Sequence, residues 1–162
     1  MAANSRMESS KYTILVVEDE EPLRSVIVSF LSKLGHSSLT ANDGVEALDK
    51  IKGNKIDAVI TDIKMPNMDG IILTSEISRQ YPELPVMVMT AFDEEYSAGT
   101  AISVGAREFI KKPFSLDEFS IRLHKMINDS EILKRMKGEK NMDENIEDLM
   151  DELEKKIGRA HV

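Results

Sequence analysis

The chain has 162 residues, 41% hydrophobic and 31% charged, with a formal net charge of −8 and no cysteine. That length carries one domain with a real core plus an appendage, and the acidic balance argues against broad phosphate-backbone binding, which needs clustered Lys and Arg. Disulfide scaffolds are excluded, His36, His124 and His161 form no zinc pattern, and no membrane-length apolar run or signal-peptide core occurs, so the expectation is a cytoplasmic protein without direct nucleic-acid or membrane contact.

From residue 12 onward, apolar runs of strand length alternate with helical periodicity. Residues 12–17 read as a buried strand, and Pro22 suits the first turn of the helix that follows, where its missing N–H has no partner to lose. Leu23, Val26, Ile27, Phe30, Leu31 and Leu34 recur at three- and four-residue spacing, and Gly35 marks the stop. Residues 37–41 form a short polar strand suited to a sheet edge, followed from about Gly44 by a helix carrying Val45, Leu48 and Ile51. The third strand spans 56–61, and the turn-forming loop Met65-Pro66-Asn67-Met68-Asp69-Gly70 precedes a helix with Ile71, Ile72 and Ile77.

Pro85 opens the fourth strand, 86–89, and a helix of poor propensity follows from about Glu94, weakened by Ser97, Gly99, Thr100 and Ser103. The fifth strand, 108–111, stops before Pro113, and Ser115 with Glu118 forms a capping box for a last helix with Leu116, Phe119, Leu123, Met126 and Ile127 inward. Five strands alternating with five helices give an α/β fold, a parallel sheet covered on both faces. Three segments result: 1–10 as a disordered start, 11–128 as the domain, and 129–162 as an acidic helical or coiled-coil-like extension. In the extension Ile132, Leu133 and Met136 prolong the last helix, Gly138 interrupts it, and Ile146, Met150, Leu153 and Ile157 make a narrow seam too short to be stable alone. A homodimer through that seam is one expectation, and a solvated tail the other.

Four stretches carry the chemistry: ILVVEDEE, AVITDIKMPNMDG, VMVMTA and EFIKKPF. Each is an apolar run ending at a polar residue, respectively Glu18 with Asp19, Asp62, Thr90 and Lys112. In an open parallel sheet the carboxyl ends of the strands meet at one crevice. Taken alone, Glu18 and Asp19 read equally well as caps of the following helix. With Asp62 added, three carboxylates repel one another unless a pKa rises or a cation binds, and carboxylate, water and carbonyl oxygens suit Mg²⁺. Asp62 can then attack phosphorus to form an acyl phosphate, with Lys112 neutralising a phosphoryl oxygen and Thr90 donating to another.

These motifs, with GAREFI and KKPF, resemble the receiver domain of two-component response regulators over residues 11–128. The resemblance implies a flavodoxin-like, doubly wound five-stranded sheet of order 2-1-3-4-5 followed by the helical extension. It implies that Asp62 is the phosphoacceptor, that Glu18, Asp19, Asp62 and the main-chain carbonyl of Lys64 hold Mg²⁺, and that Thr90 and Phe109 switch in response. The Lys112-Pro113 peptide is expected to be cis, and Lys64 and Phe92 occupy places that tune loss of the phosphoryl group. The donor would be a phosphohistidine on a histidine kinase or phosphotransfer protein. Output would pass through protein contacts of the fourth helix, fifth strand and fifth helix, since the acidic tail offers no room for an output domain; alternatively the chain is the receiver portion of a longer regulator or hybrid kinase.

Two rivals are built on the same or a related α/β sheet. An aspartyl-nucleophile phosphatase would carry a second acid two residues after the nucleophile, where Lys64 stands. A flavodoxin would need a phosphate-cradling first loop, whereas Glu18-Asp19-Glu20-Glu21 repels phosphate.

Overall fold

The computed structural model describes the backbone of residues 11–91 and 98–161, and the side chains in those ranges other than 139–148 and 156–161. The expected disordered start, Phe92 and the proposed helix start at Glu94 lie outside the described residues, as do the side chains of Ile146 and Ile157 in the seam.

Five strands, β1 (Thr13–Val17), β2 (Ser37–Ala41), β3 (Ala58–Asp62), β4 (Val86–Thr90) and β5 (Glu108–Lys111), form one parallel sheet of order β2-β1-β3-β4-β5. The polar β2 lies at an edge, where only one side of the strand must pair. Helices α1 (Glu21–Lys33), α2 (Gly44–Gly53), α3 (Gly70–Gln80), α4 (Ala98–Ser103) and α5 (Leu116–His161) alternate with the strands. Strand side chains point alternately to either face. Ile14, Val16, Ile60, Met87 and Met89 face α1 and α5, packing with Ile27, Leu31, Phe119 and Leu123. Leu15, Val17, Val59 and Val88 face the other way, with Ala47, Ile51, Leu73, Ile77 and Ala101 from α2, α3 and α4. Both faces of the three central strands are therefore buried, which is why β1, β3 and β4 read as continuous apolar runs.

Three of the apolar positions used to read the helices are exposed: Val26, Val45 and Ile72. Each sits about one residue of rotation outside the stripe that faces the sheet, as on α3, where Gly70, Leu73, Thr74 and Ile77 form the buried row. Nor does Gly138 interrupt its helix, since α5 runs through it. A single exposed glycine costs a helix only about 1 kcal/mol against alanine, and here no atom approaches within 4 Å of where its Cβ would lie. The capping box is half formed. Ser115 Oγ accepts from the Glu118 N–H at 3.1 Å, but the Glu118 carboxylate turns to Arg122 Nε at 3.2 Å. Two compact units divide after Asn128.

Gly70 fixes the route of the chain after β3. Its N–H donates to the Ile63 carbonyl at 2.7 Å, and an added Cβ would fall 1.9 Å from the Asp62 carbonyl oxygen. Backbone that close cannot yield as a side chain would, so Gly70→Ala should destabilise the domain by about 3 kcal/mol or more. Gly53→Ala, whose Cβ meets nothing within 4 Å, should be neutral or slightly stabilising. Urea unfolding followed by near-ultraviolet circular dichroism checks both, and equal midpoints for the two variants would contradict the close approach.

Candidate functional site

Strand register sets the site before any side chain does. Val17 is level with Thr61, Asp62 with Met89 and Thr90 with Lys111, so the residues that end or follow β1, β3, β4 and β5 lie side by side along one edge. The ladder continues one step beyond the strands: Glu18 N–H donates to the Ala41 carbonyl at 3.0 Å, and Lys112 N–H to the Thr90 carbonyl at 2.8 Å. Four sequence-distant segments thus arrive at one place with their backbones already paired.

Carboxylate oxygens of Glu18, Asp19 and Asp62 lie within 4.8 Å of one another, Glu18 and Asp62 buried and Asp19 exposed. Asp62 is held on one oxygen. Its Oδ1 accepts from the Ile63 N–H at 2.9 Å and lies 3.1 Å from Lys112 Nζ. Glu18 is fully buried, yet neither carboxylate oxygen has a hydrogen-bond partner among the described residues. Burial, and secondarily the neighbouring Asp62 carboxylate, push its pKa up to about 8, against the opposing pull of Lys112. An orphaned buried carboxylate beside two more acids fits a bound divalent cation, for which these three side chains are the available donors. Capping does not explain the pair: the N-cap of α1 is Glu20, which makes no side-chain capping bond, with Pro22 in the first turn.

The remaining sequence-derived residues are close by. Lys64 is exposed in the loop after β3. Thr90 is buried at the end of β4, its hydroxyl donating to the Ala91 carbonyl at 3.3 Å. Phe109 is half-buried on β5, against the core of the α2–α3–α4 face. The Lys112–Pro113 peptide is cis, and Phe114 just after it stacks on Phe119 with ring centroids 5.7 Å apart, tying that turn to the core.

Several supporting residues went unread in the sequence. Arg24 Nη1 donates to the Glu18 carbonyl at 3.0 Å and to Asn42 Oδ1 at 2.6 Å, while its Nη2 holds Glu21 at 2.7 Å. One guanidinium thereby joins the acid loop, α1 and the loop after β2. Asp43 caps α2 through the Glu46 N–H at 2.9 Å and accepts from Asn67 Nδ2 at 2.7 Å, which tethers the loop after β3. Those donors hold the Asp43 carboxyl below its usual pKa. Asn67 has a φ of 66°, a left-handed turn conformation that asparagine tolerates. Asp69 caps α3 through the Ile72 N–H at 2.8 Å.

Comparison with known proteins agrees with this geometry. The response regulator receiver domain model matches residues 14–137, and the chain belongs to that family. It is 35% identical over 119 residues to the alkaline phosphatase synthesis transcriptional regulatory protein PhoP of Bacillus subtilis, covering 74% of this chain and 50% of that protein. It is 37% identical over 114 residues to the response regulator MprA of a Mycobacterium species, covering 70% of this chain and 50% of that one. The chain thus spans about half the length of these curated relatives. Among solved structures it resembles the receiver domain of NtrX from Brucella abortus, with a TM-score of 0.68 and 36% identity over 71% of this chain and 98% of that one. A receiver domain protein from Clostridium thermocellum gives a TM-score of 0.70 at 33% identity, covering 75% of this chain and 98% of that one. Receiver domains are the signalling switches of two-component systems. No helix among the described residues is long and apolar enough to cross a membrane.

The raised Glu18 pKa has a testable sign. Without metal, the folded chain keeps a proton on Glu18 up to about pH 8, whereas the unfolded chain releases it near pH 4.5. Between those values the folded state binds more protons, so this group's contribution to stability falls as pH rises. In EDTA the parent should lose stability relative to Glu18→Gln from pH 4.5 to 8. Mg²⁺ should reverse that loss in the parent, releasing about one proton when it binds near neutral pH. Urea titrations and calorimetry in buffers of different ionisation heat measure both, and a parent-minus-variant difference that stays flat with pH would place the proton elsewhere.

Proposed function

We propose that this receiver accepts a phosphoryl group on Asp62 from a phosphohistidine of a histidine kinase or phosphotransfer protein. The observation that carries the reading is the environment of Asp62, a buried strand-end carboxylate paired with Lys112 at 3.1 Å beside Glu18 and Asp19. Both described bonds to the carboxylate fall on Oδ1, so Oδ2 is the oxygen they leave for attack. As Oδ2 bonds to phosphorus, the N–P bond of the donor breaks and the histidine departs with the electron pair as an imidazole. Lys112 Nζ then has a phosphoryl oxygen within reach to neutralise, and the Thr90 hydroxyl, at the next strand end, can leave the Ala91 carbonyl to donate to another.

Glu18, Asp19, Asp62 and the Lys64 carbonyl would hold Mg²⁺, which supplies charge neutralisation for the approach of an anionic donor to an anionic acceptor. Phe109 sits on the strand between Thr90 and α5, and movement of Thr90 would open space for its ring. The switch would then bias the surface of α4, β5 and α5 toward one of two pre-existing arrangements. Output through protein contact, in the cytoplasm and without turnover of a substrate, completes the reading. That the curated relatives are about twice as long as the matched segment favours a second reading of the output, in which the receiver governs a further domain of a longer regulator.

Acetyl phosphate with Mg²⁺ should add one phosphoryl group by intact mass, and Asp62→Asn should add none. Undiminished labelling of that variant would overturn the acceptor assignment. Asp19→Ala should weaken Mg²⁺ at least about tenfold by calorimetry.

Beryllofluoride, a phosphoryl mimic, should shift amide resonances of α4 and β5 in the parent. In Thr90→Ala the distant shifts should shrink by half or more while the mimic still binds, and full-sized shifts would remove Thr90 from the route.

A further inference from the structure

Beyond Asn128, α5 carries apolar side chains exposed to the extent of 41% at Ile132, 43% at Leu133, 59% at Met136, 61% at Leu149, 57% at Met150 and 57% at Leu153. Counting by fours and threes from Ile132 gives Met136, Glu139, Asp143, Ile146, Met150, Leu153 and Ile157. A repeat averaging 3.5 residues is the spacing by which one helix packs continuously along another. Charge along the same stretch is in blocks. Residues 134–140 hold Lys134, Arg135, Lys137 and Lys140 against Glu139 alone, whereas 143–154 hold seven acids and no base.

We propose that this helix pairs antiparallel with the same helix of a second copy, centred between Glu144 and Asn145. The alternative orientations differ in what they bring together. A parallel pair in register stacks Glu139 on Glu139 and Asp143 on Asp143 in the seam, lays the acidic block against itself, and flanks the seam with Arg135 opposite Lys140. Like charges in so desolvated a position are costly. The antiparallel pair about that centre sets Ile132 against Ile157, Met136 against Leu153, Glu139 against Met150 and Asp143 against Ile146, so no carboxylate meets its own copy in the seam. At the flanks it matches Lys140 with Glu147 and Met142 with Leu149, each twice by symmetry, and leaves one unfavourable match, Arg135 with Lys156. The basic block of each helix lies along the acidic half of the other. The same surface patch serves both copies, as a closed two-fold interface requires.

The 162-residue chain contains no cysteine, so introduced ones report the register directly. Sedimentation should show a concentration-dependent dimer, and Leu153→Asp should lower its association constant at least tenfold. Lys140→Glu and Glu147→Lys should each weaken pairing alone, and an equimolar mixture should restore it. Oxidation of Met136→Cys mixed with Leu153→Cys should give the mixed disulfide, with little linkage of either alone. A monomer at all concentrations, a dimer untouched by Leu153→Asp, or self-linkage of Met136→Cys as fast as the mixture would each overturn the proposal, the first two by leaving the helix for another partner and the third by making the pair parallel.

Discussion

The rest of the site depends on one uncomfortable arrangement, a fully buried Glu18 carboxylate with neither oxygen hydrogen-bonded among the described residues, beside a buried Asp62. In water two carboxylates this close repel weakly; out of water the same repulsion is severalfold larger, and one acid must be neutralised or a cation supplied. Lys112, 3.1 Å from Asp62, supplies one positive charge to three acids. The deficit makes the pocket sensitive to whatever charge enters it, since any cation or phosphoryl group changes the balance that holds Lys112 where it is.

Holding such a cluster in place requires backbone that does not relax away from it. Strand register brings the acids together, and the loops are then tied from outside: Arg24 on the Glu18 carbonyl, Asn67 on Asp43, and Gly70 folded so tightly that its N–H reaches the Ile63 carbonyl. These ties anchor the loops after β1, β2 and β3 around the acids.

The sequence disclosed the strand ends well, because buried parallel strands leave apolar runs whose closing polar residues, Glu18, Asp62 and Thr90, stand at the crevice, with Lys112 one residue past the exposed Lys111 that ends β5. The edge position of β2 was legible for the complementary reason, its polarity. What could not be read was which of four consecutive acids is buried: Glu18, Asp19, Glu20 and Glu21 are alike in composition, and only in the folded chain does Glu18 become buried while Glu21 pairs with Arg24. Arg24 and Asn67 were missed because a polar residue on an amphipathic helix or turn is normally solvated, and the bonds that set them apart are to residues 6 to 24 positions away. That Val26, Val45 and Ile72 are exposed was illegible for a related reason. A three-four pattern accepts a neighbour about 100° round the helix as readily as the residue that faces the sheet.

The same site residues bear on why a phosphoryl group placed here would signal rather than turn over. Rapid hydrolysis of an acyl phosphate needs a group positioned to activate water, and a general base is useful only if it is unprotonated and free to accept. Glu18, with its pKa raised to about 8 in the metal-free protein, is protonated at neutral pH, and its oxygens would be ligands to the proposed cation. Asp19 is in the same position once a cation is held. The residue two after Asp62 is Lys64, a cation that cannot take a proton from water. Among the described residues, the groups proposed to favour the acyl phosphate are thus poorly suited to act as a base against it, which fits a switch better than a turnover enzyme.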